Sequence, residues 1–96
     1  MRLIEDVIKQ ANMETKINKM IADILSYPNK AKRTNFREIV NALTEIADVK
    51  YNNLLYIITK LHNIRIQQET GMYGLEERYE KRIKELKEEY NRIWEK

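Results

Sequence analysis

Cysteine is absent from these 96 residues, which removes disulfides and thiolate metal sites and fits a reducing compartment. A single serine, Ser26, and a single histidine, His62, leave no common nucleophile–base pair to assemble. His62 has no partner of the usual metal-ligand type and reads as a surface residue. Six tyrosines could offer a nucleophile, but no Arg/His cluster accompanies any of them. Tyr27, Tyr73, Tyr79 and Tyr90 read as packing or interface residues. An enzyme is not expected, and no cofactor, metal or small-molecule ligand is implied. One proline and two glycines leave little room for long loops. Long hydrophobic runs are missing too: residues 54–58 form the longest, far short of a membrane span. The first eleven residues carry acids and no signal-peptide pattern, so the expectation is a cytoplasmic protein with no membrane partner.

What remains is a chain rich in apolar and charged residues, 43% and 34%, the balance of an ordered helical domain rather than a disordered one. The length suits a single domain with a modest core, often helped by a partner subunit. The net charge of +3 is unevenly placed. Residues 1–28 are neutral and residues 69–96 carry −1. Residues 29–68 carry +4, from Lys30, Lys32, Arg33, Arg37, Lys50, Lys60 and Arg65 against Glu38, Glu45 and Asp48. A local basic surface on a near-neutral body is what a phosphate-binding face needs.

Leu3, Ile4, Val7, Ile8 and Ala11 make one helical stripe, and Ile17, Met20, Ile21, Ile24 and Leu25 make another on a different face. Either the helix breaks near residues 12–15 or one helix contacts two neighbours. Pro28 then pushes Tyr27 out of helical conformation. A polar basic loop follows, and the next helix is expected near Asn35, with Glu38 completing a capping box. A single helix over residues 36–66 would place Lys50 in the middle of its apolar stripe and Val49 about 120° from the stripe's centre. A turn at residues 48–50 resolves this conflict.

With that turn the spacing fits a helix-turn-helix. The first helix buries Leu43 and Ala47, Val49 plugs the corner, and the second helix packs Leu54, Ile58 and Leu61 beneath it. After Ile64 the period shortens: Ile64 and Ile66 alternate with Arg65 and Gln67. "ETG" offers a hairpin turn and "MYGL" an extended return. Residues 75–96 read as a helix, with Leu75, Tyr79, Ile83, Leu86, Tyr90 and Ile93 at near-heptad spacing. Glu77–Lys81, Glu80–Lys84 and Glu88–Arg92 supply i,i+4 pairs.

The stretch "NFREIVNALTEIADVKYNNLLYIITKLHNIRIQQETGMYGL" resembles the core of small winged helix-turn-helix DNA-binding proteins, including PadR-like and archaeal coiled-coil winged-helix types. The resemblance covers about residues 17–78. It implies a mostly α fold (α+β): an N-terminal helix over 1–16, a winged-helix core with a two-stranded wing over 17–75, and a C-terminal dimerisation helix over 76–96, within one domain.

The same resemblance implies double-stranded DNA as partner. Lys50, Tyr51, Asn52, Asn53 and Tyr56, with Thr59, Lys60 and Asn63 further along, would face the major groove. Asn suits the adenine edge and Lys suits guanine or phosphate. Arg33, Thr34 and Arg37 would contact phosphate, and Arg65, Gln67, Gln68 and Thr70 on the wing would reach the minor groove or backbone. A homodimer through Leu3 and Val7 with Tyr79, Ile83, Leu86, Tyr90, Ile93 and Trp94 would space two reading helices by about one DNA turn. The function expected is a transcriptional regulator, a repressor above all, or a partition-type DNA binder. The rival expectation is an all-helical bundle subunit that binds protein or an RNA scaffold. An unbroken helix to Thr70 favours the bundle, and a turn plus hairpin favours DNA.

Overall fold

A computed structural model describes residues 3–46 and 48–94. Four helices follow one another: α1 (Ile4–Ser26), α2 (Arg33–Ile46), α3 (Asn52–Glu69) and α4 (Glu76–Trp94). Among the described residues there is no strand, so the winged-helix expectation, with its two-stranded wing, is overturned in favour of an all-α bundle. No helix among them is long and apolar enough to cross a membrane.

α1 is one uninterrupted helix of 23 residues, about 34 Å long; the expected boundary at residue 16 is not a break. Glu5 and Asp6 in its first turn complement the positive end of the helix dipole. Only its second half enters the core, through Ile17, Ile21 and Ile24. It stops at Ser26 because Pro28 forbids a helical Tyr27, which sits at φ −135° and ψ 64°.

α2 begins at Arg33, two residues earlier than expected. The backbone N–H of Lys32 donates to Asn35 Oδ1 at 2.8 Å, so Asn35 acts from inside the first turn, where Glu38 was expected to act. Phe36, Ile39, Leu43 and Ile46 recur on one face and are buried.

The break between α2 and α3 falls where the spacing requires it. Asp48 is extended and its carboxylate accepts from the Lys50 N–H at 3.1 Å, closing a short 3-10 turn over Val49–Tyr51. The occupant of the corner differs from the expectation: Val49 is 80% exposed, while Tyr51 is buried at 3%. The larger ring fills the corner in place of the valine. Ala47 lies outside the described residues.

α3 then continues through the segment expected to form the wing. Leu54, Ile57, Ile58, Leu61 and Ile64 are all buried, a helical spacing that absorbs Ile64 where an alternating strand was expected. The end of α3 is a Schellman motif. Gly71 N–H donates to Gln68 O at 3.1 Å and Met72 N–H to Gln67 O at 3.1 Å, with Gly71 at φ 87°. "ETG" is thus a helix stop and not a hairpin turn. Gly74, also left-handed at φ 79°, redirects the chain into α4.

α2 and α4 both pack on α3, and α1 packs on α2. The core runs between them, with Phe36, Ile39, Leu54, Ile58, Leu61 and Leu86 fully buried. Phe36 meets the Tyr79 ring edge-on at 6.4 Å. The whole measures 50 × 27 × 20 Å.

Candidate nucleic-acid and protein interfaces

A reading helix must leave one face free to enter a groove. α3, flanked by α2 and α4, keeps one narrow row open: Asn52, Asn53, Tyr56 and Asn63 are exposed, with Lys60 and Gln67 half-buried beside them. Within that row Asn53 Nδ2 donates to Glu89 Oε1 at 3.1 Å, and Glu89 also receives Arg92 at 3.0 Å. The cleft beside Asn53 and Tyr56, about 290 Å³, is lined by Glu85, Glu88 and Glu89 of α4. These carboxylates oppose a phosphate backbone at the place where the reading end was expected.

The other expected DNA contacts are scattered. Tyr51 is inside the protein; burial and then the nearby Glu14 carboxylate push its hydroxyl well above the ordinary tyrosine range. That hydroxyl is buried beside Glu14 without a hydrogen bond of good geometry. Lys50 pairs with Glu14 at 3.6 Å and stands over the Tyr51 and Trp94 rings at 5.0 and 5.9 Å. Arg33 and Arg37 lie on the first two turns of α2, while Lys50 follows its last. Arg33 pairs with Glu69 at 3.4 Å, while Thr34 and Arg37 are exposed.

Arg65 and Gln67 sit on the last turns of α3, not on a wing. Arg65 is partly buried: Nη2 donates to Pro28 O at 3.0 Å, Nη1 to Gln68 Oε1 at 3.1 Å, and the guanidinium lies 4.5 Å from the Tyr79 ring centre. The Tyr79 hydroxyl donates to the same Pro28 carbonyl at 2.9 Å. This clamp ties the α1–α2 loop, α3 and α4 together, so Arg65 is a structural residue.

Two groupings escaped sequence reasoning, because only packing creates them. Arg33 and Arg37 on α2 come near His62 on α3; burial first, then these two cations, lower the His62 pKa below its ordinary value. Tyr56 lies between Lys60 at 5.4 Å and Arg82 of α4 at 5.9 Å. Among the described residues, no three His, Cys, Asp or Glu side chains gather as a metal site.

The expected dimer surface also divides. Tyr79 and Leu86 are buried in the chain's own core, and Ile83, Tyr90 and Ile93 pack against it. Tyr79 and Leu86 are therefore turned into the chain's own body, while Ile83, Tyr90 and Ile93 keep part of their surface exposed. Of the α4 stripe only Trp94 stays substantially exposed, edge-on to Tyr90 at 6.4 Å. The first half of α1 is different. Leu3 is 66% exposed, Ile4 78%, Val7 50% and Ile8 55%. Of the two alternatives for α1, the unbroken helix is the one realised, with its second half packed on α2. No protein-family model matches the chain, and no curated protein or solved structure matches it either.

Proposed function

We propose that the protein is a small helical assembly subunit that works by binding another protein through the free face of α1. One observation carries this reading: four adjacent large aliphatic side chains, Leu3, Ile4, Val7 and Ile8, stand at least half exposed on a helix whose other half is anchored in the core. Exposed apolar side chains are ordinary singly, whereas a contiguous stripe marks a contact surface. A photo-cross-linking residue at Ile4 or Val7, incorporated in the cell that makes the protein, is expected to trap a defined protein species. The same residue at Glu38, exposed on α2, is expected to trap none. Equal labelling from both positions would sink the reading.

Binding to double-stranded DNA is a second reading, in a form that needs no wing. It is supported by the approach of Arg33, Arg37 and His62 across α2 and α3. Such contacts are electrostatic and insensitive to base sequence. Arg37→Ala is then expected to weaken duplex binding several-fold on every sequence alike, and to flatten its salt dependence by about one unit of slope. Fluorescence anisotropy across a salt series checks this; an unchanged slope counts against it.

A further inference from the structure

Resting on the protein-binding reading, we infer that the occupant of α1's free face is α1 of a second copy of this chain, paired antiparallel. The exposed face of α1 carries a longer pattern that starts from two of these four residues, Ile4 and Ile8, and runs on through small and polar ones. Ile4, Ile8, Ala11, Thr15, Asn18 and Ala22 recur at alternating spacings of four and three, the repeat of a coiled-coil seam. All are exposed except Asn18, which is half-buried. Thr15 is suited to a seam because its hydroxyl already donates to the Ala11 carbonyl at 3.0 Å.

The seam is graded, with large residues at its N-terminal end and small ones towards its C-terminal end. Antiparallel pairing sets Ile4 of one copy against Ala22 of the other, Ile8 against Asn18, and Ala11 against Thr15. Large then meets small along most of the contact. The flanking charges choose the same register. Antiparallel seams bring equivalent flanking positions together, and here Glu5 of each copy falls beside Lys19 of the other, with the two Asn12 residues meeting on the two-fold axis. Sliding by one heptad in either direction replaces Lys19 with Asn12 or Ser26 opposite Glu5. Only this register joins size complementarity to opposite charges on the Glu5 flank; on the other flank the two Glu14 residues approach, each already paired with Lys50 of its own copy. In this register, the free half of each α1 lies over the anchored half of its partner.

The chain's lack of cysteine makes a clean test possible. Sedimentation of the full chain from roughly 1 to 100 µM is expected to show a monomer–dimer equilibrium in the micromolar range, typical of a small interface. Ile8→Asp, at a residue outside the core, should leave the circular dichroism unchanged and abolish the dimer. Glu5→Lys should weaken association by about tenfold, and adding Lys19→Glu should restore it. Asn12→Cys should be linked to its own copy by a short bis-maleimide. Ser26→Cys should not, since antiparallel pairing places the two Ser26 residues about 42 Å apart.

A dimer that survives Ile8→Asp, or that links as well through Ser26→Cys as through Asn12→Cys, overturns the inference. A chain that stays monomeric also overturns it. In that case trapping of a different protein from Ile4 or Val7 leaves the protein-binding reading standing, and trapping of none removes both.

Discussion

The guanidinium of Arg65 is met by a backbone carbonyl, a side-chain amide and an aromatic face, an arrangement that depends on its planar, forked shape. Pro28 O accepts from both Arg65 and Tyr79. Tyr79→Phe keeps the ring and removes one of the two donors, so it is expected to cost about 1 kcal/mol in denaturant unfolding. An unchanged midpoint would show that the Arg65 bond alone holds the loop. His62 gives a pH dependence with a defined sign. Its pKa in the folded protein lies below the ordinary 6.5, so below pH 6.5 the unfolded chain takes up the proton more readily. Stability should therefore fall as pH drops from 6.5, with no contribution from this group above it. As the only histidine, it can be isolated: His62→Gln should flatten the stability profile between about pH 7 and pH 5.5.

Among the helices, the turn at residues 48–50 was legible in the sequence because a single helix would have put Lys50 inside an apolar stripe. The wing was misread for a specific reason. Ile64, Arg65 and Ile66 alternate like a strand, but Ile64 continues the buried row that Ile57 and Leu61 set on α3. The polar side chain between the two isoleucines finds its partners at Pro28 and Tyr79, which sequence spacing does not reveal. Glycine in "ETG" also signals a turn without saying which kind, since hairpins and Schellman stops both need a left-handed residue. Gly71→Ala tests the assigned motif. An added Cβ meets nothing within 4 Å, so the penalty is backbone strain alone, about 1 kcal/mol, and Gly71→Asn should cost less. The charge pairing of α4 was legible in kind but not in partner. Arg82–Glu85 at 2.7 Å and Arg92–Glu89 at 3.0 Å form at i,i+3 spacing, where i,i+4 pairs were expected.

For the molecule as a whole, the basic middle of the sequence did not become one basic face. Lys50, Arg33 and Arg65 each have partners within the chain. A net charge counted along the sequence could not foresee this, because helix packing decides which residues share a surface. The stripe on the first half of α1, by contrast, was legible as apolar residues with no evident neighbour. Among the described residues the first buried in the core is Ile17, so a chain lacking residues 1–11 keeps all of these. In dilute solution it should lose no more than about 1 kcal/mol of stability, as read by thermal or denaturant unfolding. A larger loss would mean that the free half of α1 supports its own body.

The order of packing bears on how the body assembles. The main helix–helix contacts join chain neighbours, α1 with α2, α2 with α3 and α3 with α4. Each contact closes a short loop, which keeps the entropy of closure small. Such local topology places folding in the microsecond-to-millisecond range. The helices can dock in succession, with α3 as the common platform, and the Tyr79–Pro28 bond closes once α4 has docked.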